Sequence, residues 1–215
     1  MIRIASPNCG PRRDGLRPRL VVLHYTAMDD FDAVAERLCN PEAQVSAHYL
    51  IGRDGTLASL VSEEKRAWHA GSGSWQGLVD INSRSIGIEM VNTGTEPFSE
   101  PLMTVLEDLL ADILVRWKIP PEGVIAHSDM APRRKSDPGR RFDWRRLARR
   151  GLSIWPEPGP APEIGRFAAL AARFGYPEEV DAAGQLEAFR QRFRPWAEGP
   201  FCTEDMAAIA DLSAR

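Results

Sequence analysis

Apolar residues in the first two-thirds of the chain alternate between short unbroken runs and helical stripes. Leu20-Val21-Val22-Leu23 is an apolar run rich in β-branched side chains, which predicts a buried strand ending at His24. Residues 31–39 predict a short helix with Phe31, Val34, Ala35 and Leu38 on one face. From Ser46 to Val61 the pattern is that of a hairpin, His48-Tyr49-Leu50-Ile51 against Leu57-Ala58-Ser59-Leu60-Val61. Asp54-Gly55 is expected to supply the positive φ angles of a tight turn between them. Ile86-Gly87-Ile88-Glu89-Met90-Val91 alternates apolar with small or polar residues and predicts a further strand. After Pro101, Leu102, Val105, Leu106, Leu109, Leu110, Ile113, Leu114 and Trp117 follow helical spacing until Ile119-Pro120-Pro121 stops the helix. Val124-Ile125-Ala126 predicts a strand ending at His127. A Pro-, Gly- and Arg-rich loop then runs from Pro132 to Arg141, before a short helix opening at Asp143. Strands alternating with helices predict an α/β fold with a mixed central sheet flanked by helices.

The pattern changes at Trp155-Pro156-Glu157-Pro158-Gly159-Pro160-Ala161-Pro162, where four prolines exclude both helix and central strand and predict a linker. Beyond it, Ile164, Phe167, Leu170, Ala171 and Phe174 share one helical face, and Leu186, Phe189 and Phe193 share another. A last helix is expected to be capped by Thr203, with Glu204 and Asp205 in its first turn and Met206, Ile209 and Leu212 inside. The reading is therefore a larger domain over 1–154, a linker over 155–162 and a three-helix domain over 163–215. Charge supports the division: of 27 basic and 30 acidic residues, six and ten fall in 151–215, leaving the rest of the chain at +1 against −4. Nine Arg or Lys crowd residues 131–150 against two Asp, so the C-terminal helices are expected to dock there, near the cleft, and partly fence it. Aromatic residues among those cations are too few for a nucleic-acid surface, and no nucleic-acid partner is expected. No run approaches the roughly 20 apolar residues that span a bilayer, and the N-terminus has no apolar leader core, which predicts a cytoplasmic protein. Cys9, Cys39 and Cys202 are an odd set with no metal-ligand spacing and read as reduced thiols.

The chemistry begins with four histidines, at 24, 48, 69 and 127. His24 and His127 both close apolar strands, where side chains at a sheet end can converge, and Asp137 follows closely enough for a loop to fold it back beside them. Neutral imidazole is a good zinc ligand, and a catalytic zinc takes three protein ligands while keeping one position open. Spacing alone favours ordinary strand-end histidines over a metal-holding pair.

Several stretches taken in order resemble the zinc amidase family of bacterial N-acetylmuramoyl-L-alanine amidases, a phage lysozyme and the peptidoglycan-recognition proteins. They are Val22-Leu23-His24-Tyr25-Thr26, Ser46-Ala47-His48-Tyr49-Leu50-Ile51, Ala67-Trp68-His69-Ala70-Gly71, Ser85-Ile86-Gly87-Ile88-Glu89, His127-Ser128-Asp129-Met130-Ala131-Pro132, Lys135-Ser136-Asp137-Pro138-Gly139 and Phe142-Asp143-Trp144. The resemblance covers about 20–150. It implies one zinc per chain held by His24, His127 and Asp137, with Glu89 activating a water and Lys135 stabilising the transition state. It also implies that Tyr25, His48, Trp68, His69 and Arg84 lie beside the substrate. The implied reaction is hydrolysis of the amide between N-acetylmuramic acid and L-alanine. Residues 167–212 resemble a three-helix peptidoglycan-binding domain joined to some such amidases. The N-terminus departs from the exported members, which favours small 1,6-anhydro-muropeptides of cell-wall recycling over intact wall, acted on by a monomer. The rival readings are an amidase of intact wall and a recognition protein that binds without cutting, of which the latter would be expected to lack a ligand.

Overall fold

β-Branched and aliphatic runs build a six-stranded sheet whose centre is the segment Leu20–Tyr25. A computed structural model describes residues 1–157 and 159–215; Pro158 of the proline-rich segment and the side chain of Ile164 lie outside the described residues. The strands are β1 (Ile2–Arg3), β3 (Leu20–Tyr25), β4 (Tyr49–Ile51), β5 (Leu57–Ser59), β7 (Ser85–Met90) and β8 (Val124–Ala126), in the order β1-β5-β4-β7-β3-β8. β3 runs parallel to β7 and β8, and β4 is parallel to β7, while β5 turns antiparallel against β4 and β1 runs parallel to β5. The sheet is mixed, as the alternating pattern predicts. A separate antiparallel pair, β2 (Cys9–Pro11) with β6 (Lys65–Ala67), lies outside it.

The hairpin corrects one expectation. Its loop is five residues, Gly52 to Thr56, and among Asp54 and Gly55 only Gly55 has positive φ, at 89°. Asp54 works instead through its side chain, accepting from the Thr56 backbone N–H and hydroxyl at 2.8 Å each.

Helices cover both faces. α3 (Glu100–Trp117) lays Leu102, Leu106, Leu110 and Ile113 on Val21, Leu23, Ile86 and Ile88 of one face. On the other side α1 (Phe31–Cys39), capped by the Asp30 carboxylate on Ala33 N–H, packs Val34, Ala35 and Leu38 against Leu50 and Ala58. Alternation along β3 sends Leu20, Val22 and His24 to this second face. There Leu20, Val22 and Ile125 join one apolar cluster with α6 (Phe167–Phe174), α7 (Ala182–Phe193) and α8 (Thr203–Ser213). Thr203 is the first residue of α8 and not its cap; Cys202 holds that position, and Asp205 reaches back to accept from its N–H at 3.1 Å. Two short helices complete the site's surroundings, α2 (Ile81–Arg84) before β7 and α4 (His127–Met130) after β8. α5 (Trp144–Arg149) opens with the Asp143 carboxylate on Arg146 N–H, as expected.

Candidate metal centre

The carboxyl ends of the parallel strands β3, β7 and β8 open on one side of the sheet, where α/β folds place their ligands. His24 sits near the end of β3. His127 directly follows β8 and begins α4. The loop after α4 doubles back, with Ser128 N–H donating to the Asp137 carbonyl at 3.1 Å, and so returns Asp137 to the strand ends. The three side chains converge: His24 Nδ1 lies 2.9 Å from His127 Nδ1 and 2.8 Å from Asp137 Oδ2, and His127 Nδ1 lies 2.9 Å from the same oxygen. All three residues are buried.

The hydrogen bonds behind the rings decide what this convergence means. The His127 Nε2–H donates to the Ala70 carbonyl at 2.9 Å, which leaves Nδ1 with a lone pair facing its neighbours. His24 turns Nε2 toward His69 Nδ1 at 3.0 Å and likewise presents Nδ1. Burial, then the adjacent His127, brings the His24 pKa down to about 4, so the ring is neutral at neutral pH. Two imidazole lone pairs and a carboxylate oxygen packed this closely repel one another unless a cation sits among them. The donor set, two nitrogens and one oxygen with room left on the solvent side, fits a single zinc.

Glu89 is the direct neighbour of His24 in the β3–β7 register and points to the same face. Its Oε2 is buried with no hydrogen-bond partner. Burial, with the Asp137 carboxylate second, pushes the Glu89 carboxyl well above the usual carboxylate range. A divalent cation at the triad acts in the opposite sense. Lys135 is exposed at the rim. Around these groups is an open cavity of about 370 Å³, lined also by Tyr25, Trp68, His69 and Arg134.

The chain matches the family model described as N-acetylmuramoyl-L-alanine amidase over residues 14–140. It belongs to that family. The amidase AmiD of Escherichia coli K12 is 35% identical over 228 residues, covering 91% of this chain and 82% of that protein. The solved complex of the E. coli AmiD with anhydro-N-acetylmuramic acid-L-Ala-D-γ-Glu-L-Lys superposes with a TM-score of 0.82 at 34% identity, over 93% of this chain and 90% of that one. AmpDh3 of Pseudomonas aeruginosa, solved with an anhydromuramic pentapeptide, gives 0.84 at 32% identity over 94% and 93%.

Against this frame the other expected substrate neighbours of the amidase divide. Tyr25, Trp68 and His69 line the cavity. His48 does not: it is fully buried behind the site, accepting from Gly87 N–H at 2.9 Å on Nδ1 and donating from Nε2 to the Lys65 carbonyl at 3.1 Å. Arg84 lines a different depression, with Arg17, Gln76 and Trp117, its Nε donating to the Val79 carbonyl at 2.9 Å. Nor do the C-terminal helices fence the cavity: among the described residues, none that lines it lies beyond Asp137. They pack beneath α4, where Arg133 pairs with Asp181 at 2.7 Å and Arg140 with Glu187 at 3.0 Å. Asn82 went unnoticed in the sequence, yet its Oδ1 accepts from both His69 and Ala70 N–H, at 3.0 and 2.8 Å, and fixes the Trp68-His69-Ala70 segment. An asparagine in an unpatterned four-residue turn gives no sequence signal of that task.

Proposed function

We propose that the protein hydrolyses the amide between 1,6-anhydro-N-acetylmuramic acid and L-alanine in released muropeptides. The observation that carries this reading is the buried convergence of His24, His127 and Asp137 with Glu89 beside it in register. When bound, zinc polarises the amide carbonyl and lowers the pKa of a water it holds to about 7. Glu89 is the proton carrier: its carboxylate takes the proton of the attacking water and delivers it to the departing nitrogen. The water oxygen bonds to the muramyl carbonyl carbon, the C–N bond breaks, and L-alanine leaves as a free amine. Lys135 brings its ammonium group from the rim to the oxygen on which negative charge develops. Tyr25, Trp68 and Arg134 supply an aromatic and cationic wall suited to a sugar carrying a carboxylate-rich peptide.

The preference for anhydro fragments draws support from the two solved relatives, whose ligands are anhydromuramyl peptides. The 1,6-anhydro-N-acetylmuramyl-L-alanine amidase AmpD of Citrobacter freundii is a further relative, 34% identical over 67% of this chain and 87% of its own. The proposal extends to a monomer working in the cytoplasm without nucleic acid, for which the three free thiols speak in favour of a reducing compartment. Among the described residues no helix is long and apolar enough to cross a membrane. Mass spectrometry of anhydro-muropeptide and of intact sacculi after incubation with the protein tests the reading. Release of free stem peptide from the fragment, faster than from sacculi, is expected. Unchanged fragment would leave a binding protein, and equal attack on sacculi a wall amidase. Cell fractionation and light scattering check compartment and oligomeric state.

A further inference from the structure

A buried line of hydrogen bonds runs away from the triad behind His24. His24 Nε2 meets His69 Nδ1 at 3.0 Å, His69 Nε2 meets Ser85 Oγ at 3.1 Å, and Ser85 Oγ meets the Ile81 carbonyl at 2.6 Å. The direction of every bond follows from its last acceptor. A carbonyl oxygen only accepts, so the single hydroxyl hydrogen of Ser85 is committed to Ile81. Ser85 Oγ then faces His69 as an acceptor, and the His69 proton sits on Nε2. In a neutral ring that leaves His69 Nδ1 as an acceptor, and the proton of His24 must sit on Nε2 to meet it. His24 Nδ1 is thereby left with its lone pair, directed into the triad.

We propose that Ser85 and His69 are positioning residues that set the tautomer and orientation of His24 for metal binding, anchored on the Ile81 carbonyl. The fold supports such a device from three sides. A Cβ at Gly87 would lie 2.3 Å from His69 Cγ, so the Ile-Gly-Ile strand carries no side chain where the ring lies against its backbone. Asn82 holds the His69 backbone from α2, the turn that also supplies the Ile81 carbonyl. Ser85, Gly87 and Glu89 occupy one face of β7, so the strand that presents the proton carrier also carries the relay. His69 is buried at the back of the cavity, with both ring nitrogens engaged by protein, which suits a support better than a substrate contact. Outer partners of this kind typically change metal affinity by about 10–100-fold.

The inference rests on the zinc reading of the triad, and the experiment separates the two. Full-length wild type, His69→Leu, His69→Asn and Ser85→Ala are compared by zinc affinity, measured against a competing chelator. The absorption bands of the cobalt(II)-substituted proteins and the thermal unfolding of the metal-free ones are recorded alongside. His69→Leu removes the acceptor and is expected to weaken zinc by about 10–100-fold and to alter the cobalt bands. Ser85→Ala releases the His69 proton and shifts both readouts in the same sense. His69→Asn offers a side-chain carbonyl near the place of Nδ1 and is expected to recover most of the affinity and the wild-type bands. The relay is overturned if folded His69→Leu and Ser85→Ala bind zinc as tightly as wild type. It is also overturned if His69→Asn is no better than His69→Leu at equal metal-free stability. Wild type that binds no zinc would overturn the triad reading, and the relay with it.

Discussion

Single side chains at the strand ends divide into those that would hold a cation and those that would act on substrate, and substitution should separate them. Asp137→Ala removes one of three ligands and leaves two lone pairs facing an opening, so zinc per chain should fall from about one to near none by metal analysis. Glu89→Gln should keep its zinc and lose kcat by about 10²–10⁴-fold, because only the group proposed as proton carrier is gone. It should also unfold no earlier than wild type when metal-free, since the native Oε2 is buried without a partner. Metal loss in Glu89→Gln would show instead that the carboxylate belongs to the binding set.

His48 gives the pH dependence its sign. Burial brings its pKa from 6.5 down to about 4. As pH falls below about 6.5 the unfolded chain takes up a proton that the folded chain refuses, so stability declines until about pH 4 and declines no further on this account. The window corresponds to roughly 3 kcal/mol. Denaturant titrations of His48→Gln across that range should show a flatter loss, and a slope equal to wild type would remove His48 as the cause. The same residue marks where sequence reading stops. A histidine beside an aliphatic run reads alike whether it meets substrate or backbone, and only the register of β4 on β7, which brings Gly87 N–H to its Nδ1, tells them apart.

At the scale of elements, patterns that bury one face were readable and those fixed by a single polar contact were not. α3 has eighteen residues of helical spacing, and the structure places it where that stripe points, over β3 and β7. Leu106→Ala or Leu110→Ala should cost about 2–5 kcal/mol in chemical denaturation while leaving zinc affinity unchanged, because the stripe lies on the face opposite the site. A change in zinc affinity from either would mean that the sheet transmits packing strain to its ends. The strands that carry His24 near one end and lead into His127 were equally plain. The hairpin turn was not, since Asp54-Gly55 reads the same with two positive φ angles or one, and the Asp54 hydrogen bonds to Thr56 settled it. α2 was missed for a similar reason: four residues hold no periodicity, and its importance lies in Asn82 and the Ile81 carbonyl.

Across the whole molecule, the proline-rich segment reads as a boundary, yet the apolar cluster runs straight across it. Leu20, Val22, Trp75, Ile125 and Met130 from before the segment pack with Phe167, Phe189, Phe193 and Ile209 from after it. Opposite charge foretold that the two parts meet, and Arg133 and Arg140 do pair with Asp181 and Glu187, but exposed pairs of this kind contribute little. Deeper, Arg192 of α7 reaches Asp129 of α4 at 2.5 Å and the Val124 carbonyl at 2.8 Å, while Tyr176 donates to the other Asp129 oxygen at 2.9 Å. Arg192 and Asp129 are both fully buried, and the guanidinium lies 4.3 Å over the Trp144 ring. Asp129 also accepts from Ala126 N–H at 2.8 Å, next to His127 of the triad. A chain ending at Pro156 would therefore expose the Val22 face and leave Asp129 without its two strongest partners under α4. Breaking such a pair from one side typically costs about 3–5 kcal/mol. The truncated chain is expected to unfold at lower denaturant and to hold less zinc than the full chain at equal metal concentration. Arg192→Leu alone should reproduce much of the stability loss, and Arg192→Leu with Asp129→Leu should recover part of it, because no uncompensated charge then remains buried. Truncated protein matching the full chain in both unfolding midpoint and zinc content would instead make residues 163–215 an appended domain, independent of the fold that carries the site.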